Sequence, residues 1–276
     1  MIERPVIIVS TPRAGSTMLF EALARARDVY TVGGESHAVI EGIAALTAQN
    51  RGWESNRLTA ADATAAVARK LVARFHVALR DRSHRRASGP VRMLEKTPRN
   101  ALRLPFLHAV FPDAFFIYLH RDARDTISSM LDAWRSRRFV TYPELPGWSG
   151  PPWSLLLVPG WRALAGRPLA EIVAAQWATA TRILLDDLEA LPPSQRCTAS
   201  YERLAAAPAE EIARLCALAG LAWDGELPAR LPISRSALTP PDPGKAQRNA
   251  AELDAALPAV AGVAARGRSL IACDTP

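Results

Sequence analysis

Residues 6–19, VIIVSTPRAGSTML, constrain the fold more than any other stretch of the chain. The four β-branched residues that open it are long enough for one strand. Their lack of polar alternation suits a strand covered on both faces, as in a parallel sheet. The polar turn STPRAGST follows at once, and STMLFEALARAR then places apolar residues at helical spacing. A strand that feeds a helix through a short loop offers several backbone N–H groups, backed by the positive end of the helix dipole, and so builds an anion site. Read alone, the segment also fits an ordinary strand-to-helix turn.

The pattern recurs. VRMLEK, AFFIYLH and RCTASY read as three further short strands, each followed by a helix-like stretch: PRNALRLPFLHAV, DARDTISSMLDAW and APAEEIARLCALAGL. The expected fold is α/β, a central parallel sheet flanked by helices, in a single domain over residues 1–276 with its ligands beyond the carboxyl ends of the strands. Residues 59–87, rich in alanine, predict one long amphipathic helix with a basic end. Residues 136–168 gather Trp148, Trp153 and Trp161 among prolines and glycines, and a connection of that length reads as an insertion bearing a lid or binding loop.

A net charge of +7 and a pI near 9.9 point to an anionic partner without naming it. The basic run ALRDRSHRR, residues 78–86, lacks interleaved aromatic residues and reads as a solvated helix end, so no nucleic-acid partner is expected. Cys197, Cys216 and Cys273 are odd in number and widely spaced, as reduced thiols are. His76, His84, His108 and His120 share no ligand spacing with one another or with the cysteines, and no metal is expected. No apolar run reaches the roughly 18 residues of a membrane span. The start MIERPVIIVS sets its charge directly before a strand, unlike a signal peptide, so the expected location is cytoplasmic.

The loop departs from the nucleotide-triphosphate pattern GxxxxGK[ST], which would need glycine at Ser10 and lysine at Ser16. Arg13 instead places a cation two residues before Gly15, and Ser16 and Thr17 add hydroxyls. In YLHRDARDTISSM, Arg121 stands just past a strand and Ser129 about two helical turns further on. Both suit a second phosphate, the arginine through paired N–H bonds and the serine through its hydroxyl. Asp122 and Asp125 suit the cap and first turn of that helix.

The pair STPRAGST and YLHRDARDTISSM, with EKTPRN between them, YERLAAAP and LPISRSALTPPDPGKAQRN, resembles the sulfotransferases that use 3′-phosphoadenosine 5′-phosphosulfate (PAPS), in particular the bacterial branch related to the tyrosylprotein sulfotransferases. The likeness runs over nearly the whole chain and implies a P-loop-like α/β fold. It implies that Thr11, Pro12, Arg13, Ala14, Gly15, Ser16 and Thr17 hold the 5′-phosphosulfate, that Arg121 and Ser129 bind the 3′-phosphate, and that Tyr201 lies near the adenosine. Ser236 and Lys245 match a segment that closes over PAPS, although the lysine is followed here by Ala246 where relatives often carry tryptophan.

The reaction so implied moves a sulfuryl group from PAPS to the hydroxyl of a small-molecule, lipid or glycan acceptor. Its transition state resembles the loose, in-line one of phosphoryl transfer, where positioning and charge compensation dominate. Arg13 and Lys96 are the cations suited to the transferring group. Glu35, in VGGESH, is the expected base, as in the tyrosylprotein branch, and His37 is its alternative. Glu95 is expected to orient Lys96 or to pair with an arginine. The tryptophans of 136–168 are candidates for the acceptor wall. The competing reading is a P-loop-like kinase or nucleotide-binding protein, which would take ADP or ATP with Mg²⁺.

Overall fold

The computed structural model describes residues 1–226, 231 and 245–273, the side chains of 245, 246 and 273 excepted. β1 (Val6–Val9) runs through the loop of residues 10–15 into α1 (Ser16–Leu23), followed by β2 (Val29–Tyr30), the short α2 (His37–Glu41) and α3 (Ala65–Ala78). Next come β3 (Arg92–Lys96), α4 (Leu104–Val110), β4 (Phe115–His120) and α5 (Ala123–Ser136). A small hairpin, β5 (Val140–Tyr142) and β6 (Trp153–Ser154), leads to α6 (Leu169–Glu189), β7 (Arg196–Ser200), α7 (Tyr201–Ala206), α8 (Pro208–Ala219), α9 (Ala250–Ala256) and α10 (Ala261–Cys273).

Five strands form one sheet in the order β2-β3-β1-β4-β7, with every pairing parallel. Because side chains alternate across a strand, β1 divides its residues between two cores. Ile7 and Val9 join Met93, Phe116 and Tyr118 under α3, α4 and α6, where Phe75, Phe106 and Leu184 cover them. Val6 and Ile8 join Leu94, Ile117 and Leu119 under α1 and α8, against Leu19, Leu23, Ile212 and Leu215. All four residues of β1 are buried, each contributing about 1.5–3 kcal/mol, which is why the run carries no polar alternation. The chain leaves β1 toward one edge of the sheet, to β2, and leaves the adjacent β4 toward the other, to β7, so the crevice of such a sheet lies at the carboxyl ends of β1 and β4.

Three expectations are corrected. The long helix over 59–87 is only α3. A turn at residues 60–62, closed by a Thr59–Asp62 capping box, precedes it, and Thr64 caps its first turn. The helix stops because Leu79 turns extended and Arg80 then exchanges two backbone hydrogen bonds with Thr31, at 2.8 and 2.9 Å. The stretch after β3 is likewise divided, into a 3-10 turn at Pro98–Leu102 and α4. A helix running on through Pro105 would lose a backbone bond and meet the ring. Finally, Trp153 and Trp161 are fully buried, not displayed as a wall for an acceptor. With Trp134 and Trp148 they make edge-to-face contacts at centroid distances of 5.0–6.0 Å, which anchor the 136–168 stretch on α5 and α6.

Candidate functional site

The loop after β1 is shaped by two left-handed residues, Arg13 at φ 68° and Gly15 at φ 94°. Thr11, Pro12, Ala14 and Ser16 are buried, whereas Arg13, Gly15 and Thr17 are half-buried. Gly15 is the N-cap of α1 and supplies no side chain to its first-turn amides. A Cβ on Gly15 would lie 2.5 Å from Cδ2 and 2.8 Å from Cε2 of Tyr201, so the tyrosine ring lies directly against the loop backbone.

That ring also carries the Arg121 guanidinium, 4.3 Å from its centroid. Arg121 leaves the end of β4, donates from Nη1 to the Arg13 carbonyl at 3.2 Å and stands 3.7 Å from Asp125. Its Nε is buried without a partner among the described residues. Arg13 in turn donates from Nε to Ser129 Oγ at 3.2 Å and lies over Phe139, 4.9 Å from the ring centroid. Burial, and then the like charge of Arg121, lower the Arg13 pKa from its ordinary value. Asp122 caps α5 by accepting from the Asp125 amide at 3.2 Å. Arg13, Gly15, Arg121, Ser129 and Tyr201, spread over nearly two hundred residues of sequence, thus form one cluster, with Arg13 between the other arginine and the serine.

A second cluster stands at the end of β3. Lys96 is almost fully buried and donates to Thr17 Oγ1 at 3.0 Å and to Glu35 Oε1 at 2.7 Å, with the Phe20 ring 6.0 Å away. The other Glu35 oxygen meets His37 Nε2 at 3.0 Å. Burial opposes ionisation of Glu35, but the His37 hydrogen bond and the Lys96 charge outweigh it and hold the carboxyl at about 2. An ammonium has three donors, so Lys96 keeps one N–H beyond Thr17 and Glu35.

Glu95 neither orients Lys96 by hydrogen bond nor pairs with an arginine. Its carboxylate accepts from Ser36 Oγ at 2.5 Å, Thr97 Oγ1 at 2.6 Å and Asn100 Nδ2 at 2.6 Å. Burial pushes its pKa up against these bonds. Ser236 lies outside the described residues; Lys245 opens a 3-10 turn at Lys245–Asn249, and its side chain is outside them too. The sequence reading missed Phe139 and the Ser36, Thr97 and Asn100 hydroxyls and amide.

The arrangement fits a ligand with two anionic groups. Two adjacent guanidiniums, one with an orphaned buried N–H, leave positive charge at the loop, and the absence of a Cβ at Gly15 lets the Tyr201 ring pack directly against its backbone. Among the described residues no group of three or more His, Cys, Asp or Glu is placed to hold a metal, and no helix is long and apolar enough to cross a membrane.

A model of the sulfotransferase family matches residues 5–225. Among solved structures, a sulfotransferase from Alicyclobacillus acidocaldarius is 17% identical, with a TM-score of 0.50 over 97% of this chain and 96% of that one. The sulfotransferase domain of the Synechococcus PCC 7002 olefin synthase is also 17% identical, with a TM-score of 0.50 over 99% of this chain and 97% of that domain. At this identity the two structures speak to the fold. No curated protein matches the chain.

Proposed function

This chain belongs to the sulfotransferase family, and from that premise we propose that it transfers a sulfuryl group from PAPS to the hydroxyl of a small-molecule, lipid or glycan acceptor. The observation that carries this reading is the convergence of Arg13, Arg121 and Lys96 around a glycine-turned loop, with an ionised carboxylate bridging Lys96 and His37. When bound, PAPS supplies a sulfuryl group on a phosphate leaving oxygen.

The residues then divide the work by position. Arg121, stacked on Tyr201, and Ser129 hold the 3′-phosphate, and the loop backbone with Thr17 holds the 5′ group. Arg13 and the remaining N–H of Lys96 offset negative charge growing on the leaving oxygen. Glu35 accepts the acceptor's proton, oriented by Lys96 and His37. A second reading is favoured by the depressed Glu35 pKa: a carboxyl held at about 2 is a weak base at neutral pH, whereas a base works best near the operating pH. In that reading His37 takes the proton and Glu35 fixes its ring, as a carboxylate does for an imidazole in hydrolase triads.

Binding is tested by thermal shift with 3′-phosphoadenosine 5′-phosphate (PAP) against ADP. Stabilisation by PAP alone, lost in Arg121→Ala, is the expected result; equal stabilisation by ADP with Mg²⁺ would return the chain to the kinase reading. Transfer of radiolabelled sulfate then tests the base. Glu35→Gln and His37→Gln, each keeping PAP binding, are compared, and the variant that loses the proton acceptor loses the transfer rate.

A further inference from the structure

Successive residues of a strand point to opposite faces, and at the end of β3 both faces are used. Lys96 reaches Glu35 on one side, at 2.7 Å. Glu95, 1% exposed, reaches Ser36 on the other, at 2.5 Å. Residues 35 and 36 therefore straddle the strand end, each tied to one of two consecutive strand residues. The backbone is tied as well, because the Ser36 amide donates to Thr97 Oγ1 at 2.8 Å, and Thr97 Oγ1 donates to the same Glu95 oxygen at 2.6 Å. Asn100 completes the set on the second oxygen.

A buried carboxylate is costly unless its hydrogen bonds are filled, and here three donors fill it, one of them on Ser36, the residue next to Glu35. Ser36, Thr97 and Glu95 are all fully or almost fully buried, so none of them is offered to a ligand. What they fix is the path of the chain from Gly34 into α2, on which the positions of both Glu35 and His37 depend. A carboxylate beside a moving loop would leave Glu35 free to swing away from Lys96; one clamped through Ser36 does not.

We propose that Glu95 is a positioning residue that acts through Ser36 to hold Glu35 and His37 in register with Lys96. This rests on the sulfotransfer reading above, and it assigns to the buried network a role in turnover and not in donor binding.

The test uses the full chain and four variants: Ser36→Ala, Glu95→Ala, their double, and Glu95→Gln. Transfer from radiolabelled PAPS to the best of a panel of hydroxyl compounds gives kcat and KM. Ser36→Ala is expected to lower kcat about 10- to 100-fold, as a displacement of about 1 Å does, with KM for PAPS and the PAP thermal shift unchanged. The double variant is expected to be no slower than the slower single, because both removals break the same link. Glu95→Gln is expected to keep most of the rate: its carbonyl still accepts from Ser36 and Thr97, and its amide meets Asn100 Oδ1, which is buried without a partner, once the Asn100 amide flips.

Amide hydrogen exchange over residues 33–37 supplies a readout apart from activity, faster in Ser36→Ala and near wild type in Glu95→Gln. Should Glu95→Ala fail to fold, Ser36→Ala, which removes one hydroxyl, still decides the matter. Full kcat in Ser36→Ala, multiplying losses in the double, or a parallel loss of PAP binding would overturn the proposal. A wild-type protein that transfers no sulfate from PAPS overturns the functional reading instead, and the exchange experiment still reports whether Glu95 holds the Glu35 segment.

Discussion

Replacing Gly15 by alanine should damage both the loop and the ligand site, and the two effects are separable. Gly15 holds φ 94°, a left-handed conformation that costs an L side chain ~1–2 kcal/mol. The new methyl would also lie 2.5 Å from a ring carbon of Tyr201, about 1 Å inside ordinary contact, and the ring is rigid and loaded with Arg121 at 4.3 Å. Overpacking of this kind costs ~1–3 kcal/mol. Together the terms come to ~2–5 kcal/mol, or a fall in Tm of roughly 4–20 °C at ~2–4 °C per kcal/mol for a chain of this size. Because the ring must turn away, Arg121 loses its platform, and the thermal shift given by PAP should shrink by more than the stability loss requires. The double variant Gly15→Ala with Tyr201→Ala removes the collision and leaves the backbone strain. Relative to Tyr201→Ala, its Tm should therefore fall by only ~1–2 kcal/mol in equivalent stability. Differential scanning fluorimetry with and without PAP measures all of this. Gly15→Ala with unchanged Tm and an unchanged PAP shift would refute both the loop geometry and the close ring contact built on it.

Other consequences concern charge and the core. Glu41 accepts from Arg99 and from the fully buried Arg103, so Glu41→Ala leaves two cations unpaired and should cost ~3–5 kcal/mol in urea unfolding, with PAP binding retained in the folded fraction. Glu35 has a folded pKa lowered from 4.5 to about 2, so the stability it contributes is fully present above its ordinary value and is lost as pH falls through about 2; wild type and Glu35→Gln should differ in urea midpoint at pH 6 and converge as pH drops. Trp153→Ala empties the centre of the four-tryptophan cluster and should cost ~3–5 kcal/mol without changing KM for PAPS. Sulfate transfer should proceed at the same rate in EDTA, since the proposed charge compensation comes from Arg13 and Lys96; a loss restored by Mg²⁺ would count against it.

Much of the fold and part of the candidate site could be read from the chain alone, because the information there is local. VIIV lacks polar alternation because a parallel strand is covered on both faces, and the left-handed turn at Gly15 needs a residue without Cβ. Loop letters and their order along the chain singled out Arg13, Arg121 and Ser129 as candidates, and the resemblance to sulfotransferases added Lys96 and Glu35. What tertiary structure decided is everything that depends on a contact between distant segments. The long helix expected over 59–87 ends where Arg80 pairs with Thr31, a bond that no helical periodicity encodes. The tryptophans of 136–168 carry the same letters whether they line a site or fill a core, and only packing against α5 and α6 buries Trp153 and Trp161. Glu95 bonds to Ser36, fifty-nine residues away, in place of an arginine, because the strand alternates its side chains and loop 33–36 passes the face on which Glu95 lies. Sequence specifies which groups exist and the local backbone that carries them. The sheet decides which of them meet, since a hydrogen bond at 2.5 Å is a property of two chain segments and of neither one alone.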